Sequence, residues 1–300
     1  MIPEILQKAT DELTRIKIIR EAWEYMKKVQ IETIKAEPFT MDYFKFGHGK
    51  EVFVILPGLS LQSVMNFADT VAEGYQILAD NFTVYVFDRR KELPADYSVE
   101  MMAQDTAKAF RALDLNRINL FGASQGGMVA MRIAIEQPEL VQKLILGSTS
   151  ACVEKAQYKT VEKWIQMARS GKKTELCLEM GEYLYPKDVF EQSRELFAEA
   201  AKSVTDADLH RFIILAESLK GFDTIMDLEK IACQVFVIGS KDDQVLGADA
   251  TVRIADHLNK QPGFALYMYD GYGHAAYDTA PDYKKRILHF LMSTSRSYEN

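Results

Sequence analysis

The sequence predicts an α/β fold: a doubly wound, mostly parallel sheet that carries an all-helical insertion and a helix in front of it. Three observations lead there. Near-continuous apolar runs of five to seven residues recur along the chain, as strands buried on both faces require. Helical periodicity fills the stretches between several of them. And 86 residues separate Gly147 from Gln234, far more than the single helix that a crossover between parallel strands needs.

Taken in order, residues 3–28 read as one amphipathic helix. Ile5, Ala9, Leu13, Ile16, Ile19, Trp23 and Met26 fall at three- and four-residue steps behind Pro3, which suits a first helical turn. Such a face usually buries on its own domain; the alternatives are a dimer contact or part of a substrate lid. Segments 29–35 and 39–46 pair as strands at a sheet edge. Strands follow at 51–56, 82–87, 117–121, 142–147, 233–239 and 264–269, with helices at 64–79, 98–113 and 126–136 between them. The long gap holds helical stretches at 156–169, 174–183, 188–203 and 206–220, rich in aromatic residues and methionine. They read as a cap over the sheet. The resulting division is an N-terminal helix at 1–28, a core at 29–148 and 231–300, and a helical cap at 149–230.

Length and composition agree. The chain has 300 residues, long for one domain, but the leading helix and the insertion account for the excess. A formal net charge of −7 argues against a nucleic-acid partner, whose binding displaces counterions through a basic surface. Cys152, Cys177 and Cys233 lack the CxxC spacing of a zinc site and are too few for a disulfide framework, so they read as small buried hydrophobes. The N-terminus mixes Glu4, Lys8, Asp11, Glu12 and Arg15 into its apolar residues, unlike a signal peptide. No apolar run approaches the roughly 18 residues of a membrane helix. The expected location is the cytoplasm, with no membrane partner.

One motif carries chemistry. Gly122-Ala123-Ser124-Gln125-Gly126 follows a predicted strand directly and opens a predicted helix, the setting of a nucleophile elbow. A turn that tight requires small residues on either side of the serine, which Gly122 and Gly126 supply. The hydroxyl then stands at a helix N-terminus, where a developing anion is favoured. A serine needs a base. Of five histidines, His48 precedes the first long core strand and His210, His257 and His289 fall in helix-like segments, whereas His274 follows the strand at 264–269 in a glycine-rich loop, Asp270-Gly271-Tyr272-Gly273-His274, at the sheet edge where α/β sites lie. The base needs an orienting carboxylate, and Asp242 and Asp243 stand together after the strand at 233–239. Either could be a turn former. The order Ser124, Asp242, His274 is that of one of the known serine triads.

These segments resemble the α/β-hydrolase family with a helical cap, across residues 39–293. The resemblance rests on LPG at 56–58, GASQGG at 122–127, GSKDDQV at 239–245 and GYGH at 271–274. In that family the acid stands in the pattern G-x-x-D-x-x-V, which implies Asp242, with Val245 closing the motif. The resemblance also implies an oxyanion hole made by the backbone amides of Leu59 and Gln125. Pro57 stands where many relatives carry histidine. Asp88-Arg89-Arg90-Lys91 lacks the glycine that often follows the aspartate there. The basic trio reads as a structurally paired cluster; binding of a substrate carboxylate or phosphate is the alternative.

The function implied is a serine hydrolase that cleaves a small carboxylic ester, lactone or thioester through an acyl-enzyme, with no metal and no organic cofactor. Its partner is a small-molecule acyl substrate, with a homodimer through the N-terminal helix or cap as the expected assembly if one forms. Ser124 argues against the haloalkane-dehalogenase and epoxide-hydrolase branches, which use an aspartate nucleophile. An aminopeptidase, an acyltransferase, a carbon–carbon bond hydrolase and a non-catalytic ligand receptor share the scaffold.

Overall fold

The computed structural model describes residues 28–293. The helix expected at 3–28 and the last residues of the chain lie outside that range.

Eight strands form one sheet: β1 (Ile31–Ala36), β2 (Phe39–Phe46), β3 (Glu51–Leu56), β4 (Phe82–Arg90), β5 (Ile118–Ala123), β6 (Val141–Gly147), β7 (Gln234–Ser240) and β8 (Ala265–Tyr269). Their order is β1-β2-β4-β3-β5-β6-β7-β8. The β1–β2 and β2–β4 pairs are antiparallel, and every other pair is parallel. β3 has β4 on one side and β5 on the other, so the chain reverses its direction of winding there. The crevice at the carboxyl ends of β3 and β5 is a topological switch point, where open α/β sheets place their ligands.

Alternation along the strands builds two cores. Val54, Leu56, Leu120, Leu144, Leu146, Val235 and Val237 face one way, toward α2 (Val99–Ala112), α3 (Gln125–Glu136) and α8 (Ala248–Leu258). Phe53, Ile55, Phe121, Ile145, Phe236 and Ile238 face the other, toward α1 (Ala68–Gly74), α9 (Ala276–Thr279) and α10 (Tyr283–Met292). Successive residues of one strand serve opposite layers, which is why these strands read as unbroken apolar runs.

Between β6 and β7 lie four α-helices: α4 (Lys155–Arg169), α5 (Lys173–Leu184), α6 (Lys187–Ala200) and α7 (Asp206–Glu217). The two ends of this insertion are joined. The Val153 amide donates to the Phe222 carbonyl at 2.8 Å, and the Thr224 amide to the Ala151 carbonyl at 2.7 Å.

Two segments differ from the sequence expectation. The single helix expected at 64–79 is a 3-10 turn at Val64–Phe67, then α1, then a second 3-10 turn at Gln76–Leu78. Gly74, a weak helix former, ends the regular part. The strand expected to stop at Phe87 runs on to Arg90, because Arg90 pairs with Met41 across β2. Asp88, Arg89 and Arg90 are thus strand residues.

Candidate active site

β5 delivers Ser124 into a backbone conformation with φ 51° and ψ −122°. A positive φ at a non-glycine residue costs about 1–3 kcal/mol and persists only where its surroundings enforce it. Here the Ser124 amide donates to the Gly147 carbonyl at 2.8 Å, while the Ser124 carbonyl receives the Gly127 amide at 2.9 Å and the Thr149 hydroxyl at 2.6 Å. The flanking glycines have no room for a side chain. A Cβ on Gly122 would lie 2.3 Å from the Gly126 carbonyl oxygen, and one on Gly126 would lie 2.1 Å from that of Leu56.

His274 is 1% exposed, and its Nε2 lies 3.0 Å from the half-buried Ser124 Oγ. The loop that carries it is anchored to the insertion by the Ala275 amide, which donates to the Leu184 carbonyl at 2.8 Å. Gly273, at φ 63°, adopts a backbone that a side chain would strain, and its Cβ would meet that same carbonyl at 2.9 Å.

The carboxylate that faces the imidazole is Asp243, and the expectation of Asp242 is corrected. Asp243 Oδ2 lies 2.8 Å from His274 Nδ1, while its Oδ1 receives the amides of Val245 at 2.8 Å and Leu246 at 3.0 Å. Asp242 points to the other side of the turn. It accepts the Ser240 hydroxyl at 2.6 Å, the Gly271 amide at 3.0 Å and the Gly273 amide at 2.9 Å. One aspartate therefore holds the ring, and its neighbour holds the loop that carries the ring. Burial pushes the Asp243 carboxyl up, but the His274 charge and hydrogen bond, with the two amides, bring it below its ordinary value. Asp242 is also lowered: burial pushes it up, but hydrogen bonds from Ser240 and from the amides of Gly273 and Gly271 together outweigh that. An ionised Asp243 only accepts, so Nδ1 carries the proton and Nε2 is free to accept from the serine hydroxyl.

The loop after β3 closes over the serine. A Cβ on Gly58 would lie 3.1 Å from Ser124 Cβ and 3.7 Å from its Oγ. The amides of Leu59, in this loop, and of Gln125, at the start of α3, donate to no protein acceptor among the described residues. The Gln125 side chain is buried and reaches the insertion, which the sequence alone does not signal.

The basic trio is paired within the protein. Arg89 donates to the Pro57 carbonyl and to Gln125. Arg90 pairs with Asp105 at 3.4 Å, and Lys91 with Asp42 at 2.9 Å. Asp88 pairs with Arg211 of α7, a contact across 123 residues that no sequence motif announces.

A cavity of about 270 Å³ opens beside Leu59, between this loop and the insertion. Leu61, Phe67, Met180, Leu184 and Phe197 line it, and none of its lining residues is charged. Among the described residues, no three His, Cys, Asp or Glu side chains gather as a metal site would require, and no helix is long and apolar enough to cross a membrane.

Residues 51–281 match the family model described as alpha/beta hydrolase fold. A protein of Agrobacterium fabrum (strain C58) that bears the name of a carbamate hydrolase, RutD, is 24% identical over 231 residues, spanning 74% of this chain and 87% of its own. A protein of the same name from Pseudomonas syringae pv. syringae (strain B728a) is 27% identical over 233 residues, spanning 74% of this chain and 88% of its own. Among solved structures, MGS-M2, an enzyme from a Medee basin deep-sea metagenome library, aligns with a TM-score of 0.78 at 19% identity, covering 90% of this chain and 100% of that one. The enol-lactonase of Burkholderia xenovorans LB400 aligns at 0.75 and 17% identity, covering 87% of this chain and 100% of that one. At these identities the two structures carry the fold and nothing finer.

Proposed function

The chain belongs to the alpha/beta hydrolase fold family, and on that premise we propose that it is a serine hydrolase of small, uncharged carboxylic esters, lactones or thioesters. The observation that carries the reading is the line of contacts from Ser124 Oγ through His274 to Asp243, at 3.0 Å and 2.8 Å.

Ser124 Oγ attacks the acyl carbon while His274 Nε2 takes its proton. The carbonyl π pair moves onto oxygen, and the amides of Leu59 and Gln125 receive the anion. The intermediate collapses, the bond to the leaving group breaks, and His274 returns the proton to the departing oxygen or sulfur. Water then repeats the sequence on the acyl-enzyme and releases the acid. Asp243 keeps the imidazole in the required tautomer and stabilises its protonated form. The cavity beside Leu59 seats the acyl group. Its uncharged lining favours a neutral substituent over a second carboxylate.

A second reading follows from the relatives' name: a carbamate presents the same acyl carbon to the same serine. Aminopeptidase, acyl-transfer and carbon–carbon bond chemistry would use the same three side chains with a different leaving group or acceptor.

One experiment separates these readings from a non-catalytic receptor. The full chain and its Ser124→Ala variant are treated with a fluorophosphonate probe, then assayed on p-nitrophenyl esters of graded acyl length and on a p-nitrophenyl carbamate. We expect labelling and ester turnover in the native chain, both absent in the variant, with turnover falling once the acyl chain outgrows the cavity. A folded native chain that takes no label overturns the hydrolase reading. Turnover confined to the carbamate favours the second.

A further inference from the structure

Behind the two free amides sits a buried cation. Arg89 is 3% exposed. Its Nη2 donates to the Pro57 carbonyl at 2.9 Å and to Gln125 Oε1 at 3.4 Å. Pro57 opens the loop that presents Leu59, and a peptide carbonyl shares a rigid plane with the following N–H. Holding the Pro57 oxygen therefore fixes the Gly58 peptide from which Leu59 continues. Gln125 is 1% exposed, and its Nε2 donates onward to the Leu215 carbonyl at 2.7 Å and to Ser218 Oγ at 3.1 Å, at the end of α7. A single nitrogen thus touches both walls of the oxyanion site and, through Gln125, the insertion.

Burial disfavours the charge of Arg89, and the adjacent Asp88 carboxylate favours it without hydrogen-bonding the guanidinium. Among the described residues no carboxylate meets its guanidinium, and its Nε has no partner. The oxygens of Asp88 are taken by the Arg89 backbone amide, the Ser63 hydroxyl and Arg211. An apolar side chain would fill the space without the desolvation that a buried cation incurs. When the substrate carbonyl becomes tetrahedral, its oxyanion adds a second negative charge to the one Asp88 already supplies.

We propose that Arg89 is a positioning residue for acyl transfer: it sets the Leu59 and Gln125 amides for the oxyanion, lends positive potential behind them, and with the Gln125 side chain ties that geometry to the seating of the insertion. This rests on the serine-hydrolase reading above. The consequence is specific: the interaction strengthens in the transition state and leaves ground-state binding alone.

The test uses the full chain, its preferred p-nitrophenyl ester, a boronic acid that forms a tetrahedral anion on Ser124, and the carboxylic acid product as a ground-state inhibitor. For Arg89→Met we expect kcat to fall about 10- to 100-fold, less than the loss of a donor itself. Boronate affinity should fall by the same factor, with KM and product affinity changed less than about threefold. Arg89→Lys should restore part, keeping the charge but not the planar fork. Gln125→Met, which keeps its backbone amide and cuts the tie, should show the same split, and it carries the test alone if Arg89→Met does not fold. A folded variant with unchanged kcat, or with product affinity falling in step with kcat, overturns the proposal. A native chain that neither takes the fluorophosphonate label nor turns over any ester defeats the hydrolase reading itself, and the proposal with it.

Discussion

Asp242 and Asp243 are adjacent, chemically identical and directed at different partners. The turn after β7 sends one carboxylate to the amides of Gly271 and Gly273 and the other to the imidazole. Asp243→Asn should therefore lower kcat by about 10⁴ through the wrong histidine tautomer. Asp242→Asn should leave the imidazole paired and cost at most about tenfold, through a looser histidine loop. Ester kinetics on the two variants check this, and equal losses would contradict the assignment. Spacing alone cannot choose between the two, since one residue of turn geometry reverses a side chain's direction. In the structure the amides of Val245 and Leu246 hold Asp243 Oδ1, as an Asx turn does. Ser124 and His274 were readable because each sits at a glycine-marked junction; Arg89, Gln125 and Arg211 were not, because their partners lie 32 to 123 residues away.

Among elements, the junction of β5 and α3 is the most constrained. A methyl group on Gly126 would run into the backbone of the loop after β3, which cannot give way as a side chain could. Gly126→Ala should therefore lower stability by about 4 kcal/mol or more and abolish turnover. Thermal unfolding with the ester assay tests it, and a variant with native stability would show that the loop is free to retreat. The strands were legible because burial on both faces leaves only apolar residues to choose from. The break in the segment 64–79 was not, because a 3-10 turn and an α-helix place apolar residues at nearly the same steps. The insertion was legible as a gap in the strand series. Its attachment points were invisible, since Gln62 to Ser203 and Asp88 to Arg211 are contacts between distant segments.

For the molecule as a whole, carboxyls lowered by their partners, Asp242 and Asp243 among them, make stability depend on pH, while burial raises Asp278 and gives it the opposite sign. A group whose folded value lies below its unfolded value contributes stability that is complete above the unfolded value, about 3.9 for aspartate. That contribution is lost as pH falls through the lower folded value. Asp242 and Asp243 both follow this sign. The melting temperature should drop below about pH 4, with Asp242→Asn removing part of the drop. Calorimetry across pH 3–7 checks this, and a melting temperature that rises on acidification would reverse the sign.

The paired ends of the helical insertion have a consequence for descent. Because Ala151–Val153, just after β6, pair with Phe222–Thr224, ahead of β7, everything between behaves as a cassette on a closed stem. Its helices can lengthen, shorten or be exchanged while β6 and β7 keep their register. The serine, the histidine and both aspartates stay on the stem side, so chemistry is inherited with the sheet. The cassette brings Met180, Leu184 and Phe197 to the cavity wall, so the shape of the acceptable acyl group can change in one recombination. The ties from Asp88 and Gln125 set the condition such an exchange must meet: an arginine and a helix end delivered to the same two points.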